Sequence, residues 1–117
     1  MSVIVLPWPD KRLSPNARVH WRERARIAKA AKFDGWAMTM KLPIDARLAF
    51  KQSEDPIPLL IRFCPPDKRH RDKDNMIAAL KHQLDGIAEA LGVNDKRFLP
   101  SFEFCEPEKP GRVEVVL

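Results

Sequence analysis

Glycine and cysteine are scarce in this chain, and each scarcity removes a class of chemistry. Four glycines among 117 residues build no G-x-x-x-x-G-K loop to cradle a nucleotide's phosphates. Two cysteines, Cys64 and Cys105, sit in separate apolar segments without C-x-x-C spacing, and read as buried reduced thiols of a cytoplasmic protein. The three histidines, His20, His70 and His82, form no pair at zinc-finger spacing. No Ser/His/Asp or Cys/His constellation suggests a nucleophile, and no motif implies an organic cofactor. Long apolar runs are missing too. Residues 3–6 are too few for a signal peptide or a membrane span and are cut off by Pro7. Neither an internal repeat nor a low-complexity segment is visible.

What is present is charge, unevenly placed. Charged residues make up 32% of the chain, with a net charge of +5, a balance that favours a polyanionic partner such as nucleic acid. Between Lys11 and Lys32 lie Arg12, Arg18, Arg22, Arg24, Arg26 and Lys29, against Glu23 alone. A second basic run, Lys68-Arg69-His70-Arg71, abuts acidic residues. Glu103, Glu106 and Glu108 gather late. The hydrophobic content of 44% is ordinary for a globular protein, and the length predicts a single domain over 1–117 with a modest core.

Residues 2–6 are β-branched and alternating, which predicts a strand, and Pro7-Trp8-Pro9 ends it. A basic loop over 10–19 contains Ser14-Pro15-Asn16. Good helix formers predict a helix over 20–40. Trp21, Ala25, Ala28 and Trp36 fall near one face of it, which assigns Trp21 and Trp36 to the core, and Gly35 is its weak point. Trp8 stays open, as core or as a surface for stacking bases. Residues 44–56 carry no clear pattern. Residues 59–64 read as a strand ended by Pro65-Pro66. Ile77, Leu80, Leu84, Ile87 and Leu91 recur at spacings of three and four, predicting a helix over 75–91, with Gly92 as its stop. Residues 98–105 and 112–117 read as strands joined by a turn-rich connection. The order β-α-β-α-β-β predicts an α+β fold, a small mixed sheet of about four strands with two helices packed on it.

The chemistry concentrates in Arg71-Asp72-Lys73-Asp74-Asn75, where a strand has ended and a helix begins. Two carboxylates two residues apart at such a junction can converge on one point, and a hard cation such as Mg²⁺ takes one or two carboxylates plus water and phosphate. The competing reading is helix capping, because Asp is a preferred N-cap and acids suit the first turn. Capping accounts for one Asp well and for two adequately, but does not account for the four basic residues crowding the same loop. Asp95, a third acid, follows Gly92. It reaches the cluster only if a strand or a bend returns it; otherwise it is a turn residue of Asn94-Asp95. Lys81 lies about two helical turns after Asp74, so the two share a face. It steadies carboxylates or phosphate there, or forms a surface i,i+4 pair with Asp85.

These residues together resemble the RusA family of Holliday junction resolvases, common in phages. The resemblance covers nearly the whole chain: Leu6-Pro7-Trp8-Pro9 after the first strand, Ser14-Pro15-Asn16-Ala17-Arg18 before the first helix, Arg71 to Asn75 leading into a helix with Asp85-Gly86, then Asp95. It implies that Asp72, Asp74 and Asp95 are the metal-binding catalytic acids, that Arg71 and Asn75 belong to the motif, and that the protein is a homodimer. Some members carry a functional lysine four residues after the second aspartate. Ala78 stands there, and the role passes to Lys81.

The expectation is an endodeoxyribonuclease that resolves four-way DNA junctions by Mg²⁺-dependent hydrolysis (Mn²⁺ as substitute) at Asp72, Asp74 and Asp95, assisted by Lys81. Lys68, Arg69 and Arg71 hold the backbone near the scissile bond. Lys11, Arg12, Asn16, Arg18, His20 and Asn75 contact the rest of the DNA. A two-fold dimer places two sites on symmetric strands. The rivals are a basic DNA-binding protein without catalysis, and a nuclease for other branched nucleic acids.

Overall fold

The computed structural model describes residues 2–117. Four strands form one mixed sheet in the order β1-β4-β2-β3: β1 (Val3–Pro7), β2 (Ile57–Cys64), β3 (Phe98–Phe104) and β4 (Arg112–Val116). β4 runs antiparallel to both β1 and β2, whereas β2 and β3 are parallel, with Ile57 opposite Phe98 and Phe63 opposite Phe104. Alternation along the strands sends Ile4, Leu6, Leu59, Ile61, Phe63, Val113 and Val115 to one buried face. Helices cover that face, giving the expected α+β class. Among the described residues no helix is long and apolar enough to cross a membrane.

The opposite face carries charges in register. Arg62 pairs with Glu114 at 3.0 Å and Glu103 at 3.7 Å, and Arg112 with Glu114 at 2.8 Å and Glu108 at 3.2 Å. The late acidic residues Glu103 and Glu108 are thereby matched. Cys64 and Cys105 are free thiols beside each other here, the first buried and the second partly so. Burial, then the neighbouring Cys105 thiol, pushes the Cys64 thiol up, which keeps it protonated and unreactive at neutral pH.

The helices are α1 (Trp21–Thr39), α2 (Ile44–Lys51), α3 (Lys73–Ala79) and α4 (Lys81–Leu91). The helix expected over 75–91 is broken at Leu80, whose N–H is shared between the Met76 and Ile77 carbonyls, both at 3.2 Å. Leu80 is fully buried, so the break sits where the helix meets the sheet. Residues 44–56, patternless in sequence, hold α2. Asp45 in its first turn and Lys51 in its last suit the helix dipole. Its Ile44 and Leu48 stay exposed, so it shows no core-facing stripe to read.

The assignment of Trp21 and Trp36 to the core is corrected: they are 68% and 37% exposed. The buried line of α1 runs instead through Ile27, Gly35 and Thr39. The reason is the closeness of the α1–α4 crossing. A Cβ on Gly35 would run into the Gln83 carbonyl, and one on Gly86 into the Lys32 carbonyl, so backbone meets backbone and bulky side chains are driven off this face. Gly35 is therefore a contact, not a weak point. Helix propensity alone would reward Gly86→Ala by about 1 kcal/mol. Overpacking a rigid backbone contact costs typically 1–3 kcal/mol and wins here. Gly86→Ala lowers the denaturation midpoint, and an unchanged or raised midpoint would show the crossing to be looser than this.

Candidate active site

The site grows from the loop between β2 and α3. Pro65-Pro66 stop the strand, and Asp67 then organises the loop. Its Oδ1 accepts from the Arg69 N–H at 3.0 Å and from Arg71 Nη2 at 2.8 Å. The Arg69 N–H and then the Arg71 guanidinium hold the Asp67 carboxyl below its usual range. A carboxyl so depressed contributes its tie at neutral pH and loses it only as acid protonates it. Arg71 Nη1 also donates to the carbonyls of Asp67 (3.2 Å) and Arg69 (3.0 Å). Its guanidinium lies 5.5 Å from the centre of the Trp8 ring, and its side chain is only 19% exposed. Arg71 is thus a brace for the loop before it is anything else.

Asp72 ends the loop as N-cap of α3. Its Oδ1 accepts from the N–H groups of Asp74 (2.9 Å) and Asn75 (3.3 Å), so the capping reading of Asp72 is correct as local structure. Capping occupies one oxygen. Among the described residues, Asp72 Oδ2, the Asp74 carboxylate and the Asn75 amide accept or donate no side-chain bond. Asp72 and Asp74 are both exposed. The cap therefore fixes the Asp72 carboxylate, and leaves its second oxygen and the exposed Asp74 carboxylate without a partner among the described residues.

Basic groups surround that corner. The 3₁₀ turn Lys11–Leu13 is started by Asp10, whose side chain accepts from the Arg12 N–H, and is anchored by Leu13 packing with Ile27 and Ala79. That anchor sets Lys11 and Ser14 beside Asp72 and Asn75 around a hollow of about 190 Å³, with Trp8 and Arg71 in its wall. A neighbouring hollow of about 230 Å³ is lined by Arg69, His70, Lys73 and Phe104. Lys73 Nζ lies 4.7 Å from the Phe104 ring centre. Trp8 is itself fixed. It meets Phe63 edge-on at 6.0 Å, and the preceding Pro7 carbonyl accepts from Gln83 Nε2 at 3.1 Å.

The other expected DNA-contacting residues divide. Arg12 spends its guanidinium on Asp10 (3.1 and 2.9 Å) and Glu23 (2.6 Å), tying the turn to α1. Asn16 and Arg18 line an open hollow with Lys11. His20 caps α1 through Nδ1, which accepts from the Arg22 N–H at 3.1 Å. Lys68 is exposed in the loop. Lys81 opens α4, is exposed, and makes no ion pair among the described residues, so the i,i+4 pair with Asp85 is not formed.

Asp95 stands elsewhere. It begins a 3₁₀ turn just before β3 and shares a hollow with Asp85, Glu89 and Lys32. Because β3 is parallel to β2, Phe98 sits beside the first residue of β2, and the Asp72 loop leaves the other end. The strand after the helix does run back, but Asp95 precedes it. From Lys73 to Leu91 the helical rise alone amounts to about 28 Å if straight. Accordingly, no group of three His, Cys, Asp or Glu among the described residues could hold a metal ion. Within one chain the structure sets Lys11, Arg71, Asp72 and Asn75 around one hollow and Arg69 with Arg71 around the next, with Asp74 in the first turn of α3 beside them; Asp95 lies in a different hollow.

The sequence does not single out Asp67 for the site, leaves Trp8 open between core and base stacking, and gives Lys73 no role of its own. The spacing of four between Asp67 and Arg71 is a signal that could have found the brace.

No family model matches the chain. A protein of Xylella fastidiosa (strain Temecula1 / ATCC 700964), described as "Uncharacterized protein", is 43% identical over 126 residues, covering 100% of this chain and 74% of the relative. The chain belongs to the same family as that protein.

Proposed function

We propose that the protein is a metal-dependent endodeoxyribonuclease for branched DNA, of the type that resolves Holliday junctions. The observation that carries the reading is the exposed Asp72 carboxylate capping α3, with exposed Asp74 two residues on, beside two adjoining hollows, one lined by Lys11 and Arg71 and the other by Arg69, His70 and Lys73. A cap needs one acid and no cations. Two acids with unspent oxygens, ringed by cations, suit a phosphodiester with a hard cation between protein and phosphate.

The chemistry of the donors suits Mg²⁺ or Mn²⁺: Asp72 Oδ2 and the Asp74 carboxylate offer oxygen ligands with no competing protein donor among the described residues. When bound, such an ion supplies Lewis acidity toward the phosphate and the attacking water. The chain's own residues do the rest. Lys11, Arg69 and Lys73 neutralise phosphates flanking the scissile bond, and Arg71 keeps the loop in place through Asp67. Asn16, Arg18 and Lys68 extend the contact along the backbone, which makes affinity fall steeply with salt.

Within one chain Asp95 stands at the opposite end of the β2–β3 pair from Asp72 and Asp74, so in this reading it joins them from a second copy, in a two-fold dimer. Such a dimer has two sites for two symmetric strands of a four-way junction.

The DNA-binding reading without catalysis is favoured by a different observation, that Asp72 caps α3 and that no group of three acids, histidines or cysteines forms among the described residues. A labelled four-way junction with Mg²⁺ separates the two. Paired nicks on opposing strands, absent with EDTA, are expected. Tight binding without nicks, where a resolvase control cuts, would sink the nuclease, and equal cutting of linear duplex would remove the junction preference.

A further inference from the structure

We infer that the hollow between Trp8 and Asn75 takes one unstacked nucleobase, next to the phosphate held by Lys11. The inference rests on the nucleic-acid reading above and adds to it a site for the base itself. Phosphate binding alone requires cations at a surface. This hollow has more: an indole ring, a guanidinium plane alongside it, and a side-chain amide, around about 190 Å³ of mostly apolar lining.

Each wall is held before any ligand arrives. Trp8 is fixed by Phe63 at its edge and Arg71 over its ring. Arg71 is locked by Asp67 and two carbonyls. Asn75 is placed by its own N–H on Asp72 Oδ1, which leaves its amide without a partner among the described residues. A side-chain amide offers a donor and an acceptor side by side, the pairing that reads the edge of a base. Indole and guanidinium planes are the surfaces on which splayed bases stack. Lys11 at the mouth meets the phosphate attached to that base. A base reaches such a pocket only after leaving its stack, which costs least where pairing is already interrupted. A branch point offers that, and an intact duplex does not.

The test uses the full chain with Trp21→Phe and Trp36→Phe. Both tryptophans are exposed, so Trp8 becomes the one indole reporter with the pocket unaltered. A short single strand and an abasic strand of equal length and charge are titrated without divalent metal at matched salt. The base-bearing strand is expected to bind about tenfold tighter and to quench Trp8 emission, while the abasic strand leaves it unchanged. Adding Asn75→Ala narrows the gap several-fold. Equal affinity with unchanged emission overturns the proposal, and so does a gap untouched by Asn75→Ala. Failure of the nuclease reading shows separately, as absence of junction nicking in wild type whatever the base preference.

Discussion

Asp74→Asn abolishes junction cutting, by about a thousandfold, while junction affinity measured without divalent metal stays within about twofold of wild type. The magnitude is what several kcal/mol of lost charge stabilisation amounts to at about 1.4 kcal/mol per decade. Three features make this substitution clean. Asp74 is exposed and its side chain bonds nothing among the described residues, so folding hardly notices the change; loss of a first-turn acid costs roughly 0.3–1 kcal/mol. The N-cap stays, because Asp72 supplies it. The cations of the cleft stay, so the phosphate grip persists and removal of a negative charge slightly favours it. Asp72→Asn is the necessary companion, since Asn caps about as well as Asp and the fold is again preserved. Asp72→Ala would lose cap and ligand together, at about 1 kcal/mol of stability, and would not separate the two roles. Cutting at near wild-type rate in Asp74→Asn, measured as single-turnover cleavage, would remove Asp74 from the site.

The alternation of residues 2–6 and 59–64 and the heptad-like recurrence of Ile77, Leu80, Leu84, Ile87 and Leu91 were legible because each buries one face against a layer, and burial imposes periodicity. Where burial was small, the pattern was silent: α2 leaves Ile44 and Leu48 outside. Tryptophans on α1 misled for a physical reason, since the helix face that packs hardest is the one that must carry glycine. Of the site, the Asp72–Asn75 corner was legible because charge and a helix start coincide in adjacent residues. Its depth was not. Trp8, Lys11 and Ser14 lie some sixty positions away in sequence and reach the corner only through the packing of Leu13 on Ala79. The place of Asp95 depends on strand direction. Periodicity identifies a strand but does not say whether β3 lies parallel or antiparallel to β2, and that choice decides which end of the sheet receives Asp95.

Parallel pairing of β2 and β3 makes the dimer testable by mixing two dead enzymes. Asp74→Asn and Asp95→Asn are each expected to be inactive alone. Co-refolded in equal amounts, they give back cutting. In a mixed dimer, one site combines the unaltered Asp72 and Asp74 of the Asp95→Asn chain with the unaltered Asp95 of the Asp74→Asn chain; its other site carries both changes. With random assortment half of the dimers are mixed, so about a quarter of the wild-type number of sites is restored. Each restored dimer has one working site, so the product is a nicked junction and not paired cuts. If Asp95 instead served the site of its own chain, each site of the mixed dimer would carry one lesion, and mixing would restore nothing. The two arrangements therefore differ between about a quarter of wild-type nicking and none, a gap that denaturing gels of end-labelled junction resolve directly. Restoration on mixing also requires that the chains associate, so sedimentation of the mixture at the assay concentration is read alongside. A dimeric mixture without nicking, with each variant inactive alone, assigns Asp95 to the site of its own chain; cutting by Asp95→Asn alone returns it to its own corner, with Asp85 and Glu89 beside it, and leaves Asp72 and Asp74 as the acids of the site.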